Sequence, residues 1–535
     1  MGTTLEMKYE SLGRVEGELD IKCKIEDGVV TEAWTEGTMF RGFEIILKGK
    51  DPQAGLIVTP RICGICGGSH LTKAVYALDV AWKTEVPPNA HLIRSIAQAC
   101  ETLQSIPRWF YALFGIDLVH KKYANSPLYD EAVRRWAPFV GESYDPGVTL
   151  SNKPVEIYAI FGGQWPHSSF MIPGGVMCAP TLVDVTRSRA ILEFWKNEWL
   201  EKYWLGCTIE RYMEIKTWED MLEWIEEDEN HRNSDLGFFI RYCMDIGLDK
   251  YGVGPQTFLA CGTYIDKDHY KNPDIESRND ALICKSGVYD GENFHDYDQA
   301  NVYEDHTYSF FRGSGMLHPF DGVTDPLDPQ EAAKDGKYTW AKAPRYHLNG
   351  KYMPMETGPY ARQIMAGRPG GHDHQDNDPF VYDMHTKLGA SIMTRVLGRM
   401  HEGPKLLNRV KGWLDDIDLH EKFYIKPTEH KEGRGYGGTE ASRGALQDWI
   451  TIEDGKIKNY QVITPTGWTI GPRDGSGLMG PMEQAICGTP ISDPDDPVEI
   501  GHVVRSYDSC LVCTVHAYDA KTNRELAKFK IGGGC

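Results

Sequence analysis

Apolar and polar residues alternate near the beginning of the chain in the manner of a β-strand. The alternating apolar positions are Leu19, Ile21, Cys23 and Ile25. Val29 and Val30 resume the apolar pattern after Asp27-Gly28, and an Asp-Gly pair favours the tight turn between two antiparallel strands. The pattern therefore predicts a β-hairpin within the first ~35 residues.

Two runs of apolar residues at helical spacing follow, one on each side of Pro87-Pro88. The first run predicts a helix that begins at Ser69, whose hydroxyl can cap it, and that ends near Trp82. The second run predicts a helix from Asn89. A kink is expected at Pro107, because proline lacks the amide hydrogen of a regular helix.

The rest of the chain alternates between helical and irregular patterns. Helical periodicity predicts helices near residues 181–203 and 380–402. Residues 265–375 are rich in Asp, Gly, His, Pro and Tyr, which indicates long loops and short strands over a core. Residues 459–475 and 499–532 have the pattern of short strands and turns. The expected fold class is mainly α with small β elements (α+β), around one large helical core without a clean domain boundary.

Composition narrows the classes of partner. The 535 residues are 41% hydrophobic and 11% aromatic, enough for a sizeable core. A net charge of −20 argues against nucleic acid or an anionic membrane as a direct partner. The N-terminus lacks the apolar region of a signal peptide, and no run of eighteen apolar residues predicts a transmembrane helix. We therefore expect a cytoplasmic chain, or one that is membrane-associated or exported through a partner.

The cysteines carry the most specific signal. An odd total of thirteen, scattered along the chain, does not indicate a disulfide framework. Two Cys-x-x-Cys pairs stand out, Cys63 with Cys66 and Cys510 with Cys513. This spacing directs two sulfurs to one metal. Because more than four hundred residues separate the pairs, the two ends of the chain must meet in space if the pairs share one metal site.

A structural zinc site with four thiolates is the common interpretation of two such pairs. However, zinc ribbons bring their pairs close in sequence, because a small domain needs the metal in order to fold. Both pairs are also flanked by more polar side chains than a closed zinc cage requires. These side chains are Arg61, His70, Asp508 and His516.

Motifs along the whole chain resemble those of the large subunit of nickel-iron hydrogenases, in the same order. Besides the cysteine pairs, they are 13–17 (GRVEG), 41–44 (RGFE), 163–167 (GQWPH), 337–346 (KYTWAKAPRY), 355–359 (METGP), 442–446 (SRGAL) and 465–468 (PTGW). The resemblance implies an enzyme that cleaves H₂ heterolytically into protons and electrons, in the uptake direction. Zinc becomes a distant alternative. A sensor of H₂ with the same site, or a respiratory-complex homologue, stays open.

The resemblance also implies a nickel-iron centre whose iron carries carbon monoxide and cyanide. Cys66 and Cys513 would bridge nickel and iron, and Cys63 and Cys510 would bind nickel alone. The residues that the resemblance places around the diatomic ligands are Arg443, Leu446, Pro465 and Thr466. For Arg443 the alternative is an ordinary buried ion pair, since five guanidinium donors serve either role.

The resemblance assigns the proton chemistry to a few side chains. Cys510 would accept the first proton, with Arg443 as a competitor, and Glu16 would relay it. A buried glutamate beside a thiolate should have a raised pKa, which suits a relay. The alternative is that Glu16 pairs with Arg14 or lies at the top of a hairpin. Glu44 and His516 match two protein ligands of a Mg²⁺ site.

The same resemblance implies several partners. Because the chain lacks further cysteine sets for iron-sulfur clusters, an iron-sulfur small subunit is required to carry electrons away. We expect it on a large apolar face near the first cysteine pair. Residues 1–516 would form a single domain, and 517–535 an extension that a maturation protease removes after nickel-insertion factors have acted. A higher oligomer stays open.

The chain departs from the family pattern at two positions beside the expected site. Ser509 replaces a proline before Cys510, and Ser105 stands where some members place a carboxylate. These changes suggest a divergent subgroup. The glycine-rich run 433–438 lacks the lysine and the strand-glycine-helix setting of a phosphate-binding loop, so we assign it no ligand.

Overall fold

The computed structural model describes residues 4–270 and 274–510. In this part of the chain, the helices α1 to α20 are Phe43–Leu47, Ala54–Val58, Gly67–Trp82, Pro88–Trp109, Tyr129–Trp136, Tyr144–Leu150, Lys153–Gly162, Leu182–Trp195, Ile209–Tyr212, Trp218–Glu227, Glu229–Asn233, Asp235–Ile246, Ile275–Asp280, Pro329–Ala332, Pro359–Ala366, Phe380–Leu388, Ile392–Asp415, Pro465–Ile470, Pro481–Ile486 and Val498–Ser506. None of these helices combines the length and the apolar character that crossing a membrane requires.

The described strands pair into short antiparallel sheets. The strands β1 to β17 are Thr4–Tyr9, Leu19–Glu26, Val29–Gly37, Met171–Ile172, Gly175–Val176, Phe258–Ala260, Thr263–Ile265, Leu282–Cys284, Gly287–Tyr289, Phe294–His295, Val302–Asp305, Met316–Leu317, Ala343–Leu348, Lys351–Met353, Gly433–Ala441, Gly444–Glu453 and Lys456–Ile463. The larger sheets have the orders β1-β2-β3, β12-β11-β13-β14 and β15-β16-β17. The loops and short strands predicted for 265–375 are confirmed, with α13 to α15 between them.

The predicted N-terminal hairpin is confirmed. Strands β2 and β3 pair antiparallel, with Glu26 opposite Val29. Asp27 and Gly28 between them have φ values of 49° and 81°. Two successive residues with positive φ match the turn that follows the right-handed twist of paired strands. Strand β1 adds to the outer edge of β2, so a loop of residues 10–18 joins β1 to β2.

Helices α3 and α4 form the centre of the core, and both lie close to their predicted positions. Almost every residue of both helices is buried. Helix α4 begins with Pro88 at its first position, where the missing amide hydrogen costs nothing. Pro107 lies in its last turn, and a π-type segment, Phe110–Phe114, continues the helix. The sequence therefore located the irregularity at the end of α4.

The glycine-rich run 433–438 forms most of β15, which packs directly on α3. A Cβ atom on Gly435 would lie 1.8 Å from the carbonyl oxygen of Ala77, and one on Gly437 would lie 1.9 Å from that of Lys73. Real Cβ atoms do not approach so closely, so only glycine allows this helix and strand to touch. The contact fixes α3, which follows the first cysteine pair, against the hairpin that carries Arg443.

We expect Gly435→Ala to lower the melting temperature strongly, by the equivalent of about 3 kcal/mol, because the new methyl group meets backbone that cannot rotate away. Gly412→Ala is the matched control, since that exposed glycine of α17 has no atom within 4 Å of its added Cβ. The control should keep or slightly raise the melting temperature. Equal melting temperatures for the two variants, measured by calorimetry, would contradict this account of the packing.

The predicted strands near the C-terminus are partly wrong. Residues 456–463 form β17, but α18 and α20 are helices within the ranges 459–475 and 499–532. Every residue of α20 is buried, including the polar Glu499, His502 and Arg505, so this helix lacks the contrast between a buried apolar face and an exposed polar face. Residues 511–532 lie outside the described residues. The helix predicted at 181–203 is confirmed, and the one at 380–402 is two helices, α16 and α17.

Candidate metal centre

The two ends of the chain meet at the predicted cysteines. The Sγ atoms of Cys63 and Cys510 are 3.5 Å apart. The sulfurs of Cys63, Cys66 and Cys510 all lie within 4.8 Å of one another, and all three side chains are buried. Cys513 lies outside the described residues. Sulfurs this close are compatible with a shared metal centre, in which thiolate-metal distances are ~2.3 Å.

The first cysteine pair is positioned by a short 3-10 turn, Thr59–Arg61, and by the start of α3. Cys66 is the N-cap residue of α3, and its carbonyl accepts a hydrogen bond from the amide of His70 (3.1 Å). The amide of Ile65 donates to Sγ of Cys63 (3.3 Å). Amide donors and the positive end of a helix both favour a sulfur in its thiolate form.

The cap of α3 differs from the predicted one. Ser69 lies in the first turn, and the carboxylate of Glu101 on α4 accepts hydrogen bonds from the amides of Gly68 (2.8 Å) and Ser69 (2.9 Å). The Ser69 hydroxyl donates to the same carboxylate (2.7 Å). Burial raises the pKa of Glu101, and these hydrogen bonds oppose the rise. Sequence reasoning missed Glu101 because its partners are 32 and 33 residues away.

Arg443 occupies the turn between β15 and β16 and contacts the segment just before Cys510. Its Nε donates to the carbonyl of Asp508 (3.0 Å) and lies 3.2 Å from the Asp508 carboxylate, which also pairs with Arg399 (3.0 Å). Burial alone would lower the pKa of Arg443, but Asp508 and the three nearby cysteines raise it well above the usual value. Its Nη1 is buried and has no hydrogen-bond partner among the described residues.

The other three residues expected around the diatomic ligands, Thr466, Pro465 and Leu446, are also buried. The Thr466 side chain, on α18, accepts a hydrogen bond from the amide of Cys510 (2.8 Å). Pro465 is the first residue of α18, and Leu446 lies in β16. Both side chains are buried.

Glu16 lies in the β1–β2 loop, directly beside Cys510. Its backbone forms a parallel bridge with Cys510, and its amide donates to the Ser509 carbonyl (3.3 Å). Burial is the main cause that raises the pKa of Glu16, with a further contribution from Cys63, while Arg443 opposes it. Arg14 does not pair with Glu16, because its guanidinium binds Asp117. The ion-pair alternative for Glu16 therefore lacks its partner.

Glu44 belongs to a second polar cluster behind the first cysteine pair. Its carboxylate accepts a hydrogen bond from the amide of Val462 (3.0 Å) and lies 3.2 Å from Nζ of Lys342. Lys342 also contacts Glu304 (3.2 Å) and Gln461 (2.9 Å), at the edge of a cavity of about 70 Å³. Burial, which Lys342 opposes, and the charge of Glu44 raise the pKa of Glu304 to about 7.

Two carboxylates thus share one lysine in this cluster, which leaves one negative charge uncompensated when both are ionised. Oxygen ligands beside a small cavity suit a hard divalent cation. The second residue expected at a Mg²⁺ site, His516, lies outside the described residues. The cluster therefore presents Glu44 and Glu304, with the amide oxygen of Gln461, as its oxygen donors.

The donor set of the cysteine site fits a soft metal with small anionic ligands. Soft thiolates suit nickel and iron, and they also suit zinc. A closed zinc cage, however, gives no role to a buried guanidinium nitrogen without a partner. Arg443 provides such a nitrogen.

The departures Ser105 and Ser509 are both buried, and the Ser509 hydroxyl has no partner among the described residues.

Comparisons with known proteins agree with this geometry. The family model "Nickel-dependent hydrogenase" matches residues 41–132 and 143–516. The chain is 31% identical to the periplasmic NiFeSe hydrogenase large subunit of Desulfomicrobium baculatum, over 97% of this chain and 96% of that protein. It is 28% identical to the hydrogenase-2 large chain of Escherichia coli K12 (97% and 98%) and to the uptake hydrogenase large subunit of Rhodobacter capsulatus (95% and 94%).

Solved structures agree on the fold. The reduced, active form of the Ni-Fe-Se hydrogenase from D. baculatum superposes with a TM-score of 0.77 at 29% identity, covering 96% of this chain and all of that chain. The α+β fold and the hydrogenase activity expected from the sequence are thereby confirmed, and the zinc alternative is set aside. This chain belongs to the nickel-dependent hydrogenase family, in which it is a catalytic large subunit.

Proposed function

We propose that Cys63, Cys66, Cys510 and Cys513 hold the nickel-iron centre at which this subunit cleaves H₂. The observation that carries the proposal is the convergence of three buried sulfurs from opposite ends of the chain within 4.8 Å. When bound, the centre supplies the redox and Lewis-acid chemistry that separates H₂ into protons and electrons. The protein must then hold its ligands, exclude water and remove the protons.

We infer that Arg443 and Thr466 bind cyanide on the iron, which also carries carbon monoxide. A buried donor such as Nη1 of Arg443 needs an acceptor, and a cyanide nitrogen would provide one. The Thr466 hydroxyl accepts from the amide of Cys510 through a lone pair, so its own hydrogen remains available for donation. Pro465 and Leu446 would form apolar walls that keep water away from the iron.

We propose that two side chains carry the proton away from the centre, one after the other. Sγ of Cys510 would accept a proton from H₂, and the carboxylate of Glu16 would take it onward. Support comes from the backbone bridge that joins Glu16 to Cys510 and from the burial that raises the pKa of Glu16. A raised pKa brings a carboxyl group closer to the pH at which it can both accept and release a proton. Arg443 is a weaker candidate, because its pKa is raised well above the usual value.

We further propose that Glu44 and His516 bind Mg²⁺ beside the metal centre. When both are ionised, Glu44 and Glu304 carry one negative charge more than Lys342 compensates, which supports a cation there. One carboxylate and one imidazole would leave the remaining positions of an octahedral ion to water and to nearby oxygens. Such an ion would anchor the segment after Cys510 against β17, since Glu44 already binds the amide of Val462.

An iron-sulfur small subunit is the partner that we propose for electron transfer. The relatives' names describe large subunits or large chains, which implies a smaller companion. Close to the first cysteine pair, α1 and α2 expose three large apolar side chains, those of Ile45, Ile46 and Ile57. An apolar face of this kind suits the interface of a permanent complex. The uptake direction is supported by the name of the R. capsulatus relative.

We propose a single domain of residues 1–516, followed by an extension, 517–535, that a protease removes after nickel-insertion factors have acted. The family match ends at residue 516, which supports this boundary. The name of the D. baculatum relative places that protein in the periplasm, which favours export on a partner's signal over a cytoplasmic location.

Metal analysis and infrared spectroscopy of the purified two-subunit enzyme test the proposed centre. We expect nickel and iron, with infrared bands of both carbon monoxide and cyanide. Arg443→Lys removes the orphan Nη1 donor, so it should shift the cyanide bands while leaving the carbon monoxide bands nearly unchanged. Zinc without nickel, or the absence of these bands from a folded enzyme, would reject the centre.

A further inference from the structure

An ionic cluster of a buried carboxylate, a buried arginine and a partly exposed arginine lies next to the loop that carries Glu16. The carboxylate of Asp117, on the segment after α4, binds the guanidinium of Arg14 through one oxygen and that of Arg505 through the other. The side chain of Asp117 is 5% exposed and that of Arg505 is 8% exposed. Arg505 belongs to α20, the helix that leads to the second cysteine pair.

Both arginines also donate hydrogen bonds to backbone carbonyls. Arg505 donates from Nε (3.2 Å) and from Nη2 (2.9 Å) to the carbonyl of Gly13 in the β1–β2 loop. Arg14, which is in the same loop, donates from Nη1 to the carbonyl of Leu113 (2.9 Å). The cluster therefore connects three parts of the chain: the loop with Glu16, the end of α4, and the helix before Cys510.

The loop needs such external support because it has little regular structure of its own. Ser11 and Arg14 have φ values of 47° and 59°, in the left-handed region that residues other than glycine rarely occupy. Such a conformation persists only where surrounding contacts determine it. The contacts made by Arg14 and by Gly13 fix the loop two to three residues before Glu16, and the amide of Glu16 itself binds Ser509.

We infer that Asp117 is a positioning residue for Glu16, which it holds against the Cys510 segment through Arg14 and Arg505. The inference rests on the proposed role of Glu16 as proton carrier. Proton transfer requires donor and acceptor within hydrogen-bond reach, and a displacement of about 1 Å can slow a reaction about 100-fold. A carboxylate that fixes both the loop and α20 controls this distance without contact with the reacting atoms.

Asp117→Asn in the complete two-subunit enzyme tests the inference. The amide keeps the shape of the carboxylate but loses the charge that attracts the two arginines. We expect kcat for H₂ oxidation and the rate of H/D exchange to fall about 10- to 100-fold, with an unchanged KM for H₂ and unchanged nickel content. Amide hydrogen exchange measured by mass spectrometry should become faster in residues 11–17.

Asp474→Asn is the matched control, because Asp474 is an equally buried carboxylate (2% exposed) that pairs with an arginine, Arg345, at 2.8 Å. It should leave kcat and the exchange of residues 11–17 unchanged. In a Glu16→Gln background, Asp117→Asn should cause no further loss, since both substitutions would act on one step. Additive losses, or a normal kcat in the single Asp117 variant, would overturn the inference.

If Asp117→Asn does not accumulate folded enzyme, Arg14 provides the deciding pair of variants. Arg14→Gln leaves Asp117 paired with Arg505 but releases the loop, and Arg14→Lys keeps the positive charge. We expect the glutamine variant to lose H/D exchange activity and the lysine variant to recover much of it. Equal activities for both would overturn the inference. An active Glu16→Gln enzyme would instead reject the proposed role of Glu16, so the two failures are distinguishable.

Discussion

A Cys66→Ser chain is expected to contain no nickel and to have no measurable H₂ turnover, although it folds. Serine can occupy the N-cap position of α3 as well as cysteine does. Its hydroxyl, however, is neither soft nor ionised near neutral pH, so it cannot replace the thiolate that we propose as a metal ligand. Elemental analysis of the purified chain and an H₂-uptake assay with an artificial electron acceptor measure the two losses.

We expect the fold to persist because most of its packing lies away from the metal site. Helices α3 and α4 are buried over nearly their full length, and the core around them contains six fully buried tryptophans. Cys243→Ala is the control, since this fully buried cysteine of α12 lies outside the cluster of converging sulfurs. It should keep both nickel and turnover at a modest cost in melting temperature. A nickel-containing, active Cys66→Ser enzyme would contradict the proposed centre.

Features with a local signal could be predicted from the sequence. Asp27-Gly28 encodes its turn in two residues, and the apolar period of α3 and α4 covers several turns of helix. The Cys-x-x-Cys spacing likewise brings each pair of sulfurs together without help from the rest of the chain. What these signals could not give is the direction from which other elements approach them.

Features made by distant partners were therefore missed. Asp117 and Arg505 are 388 residues apart, and nothing in either sequence neighbourhood indicates the other. Glu101 caps α3 from another helix, so the serine at the helix start appeared to be the better cap. The glycines of β15 lie at alternate positions, a period typical of a strand, but only the helix against them explains why no side chain is tolerated.

The candidate site shows the same division. Its sulfurs were identified from spacing, and the neighbours Arg443, Thr466 and Glu44 from resemblance to the family. The structure adds which atoms of these neighbours are already bound and which are not. The Thr466 side chain accepts a hydrogen bond from the amide of Cys510, whereas Nη1 of Arg443 has no partner among the described residues. This difference cannot be read from the sequence. It makes Arg443 a candidate hydrogen-bond donor to a ligand of the metal centre.

Replacing Glu16 by glutamine is expected to lower H₂ turnover and H/D exchange by about 100-fold or more, the range that one positioned acid-base group contributes. Glutamine keeps the shape of glutamate and can still form hydrogen bonds, but it cannot accept and release a proton. Because the backbone of Glu16, and not its side chain, forms the bridge to Cys510, the loop should keep its position. Nickel content and the cyanide bands should therefore be normal.

Glu18→Gln is the control, since it makes the same substitution in the same loop, two residues from Glu16. It should turn over H₂ at the normal rate. The raised pKa of Glu16 also predicts that its protonated form persists to higher pH than that of an ordinary glutamate. Normal turnover in a fully metallated Glu16→Gln enzyme would contradict this role, and Arg443 or water would then be the proton carrier. Loss of nickel from that variant would instead show that Glu16 supports the structure of the site.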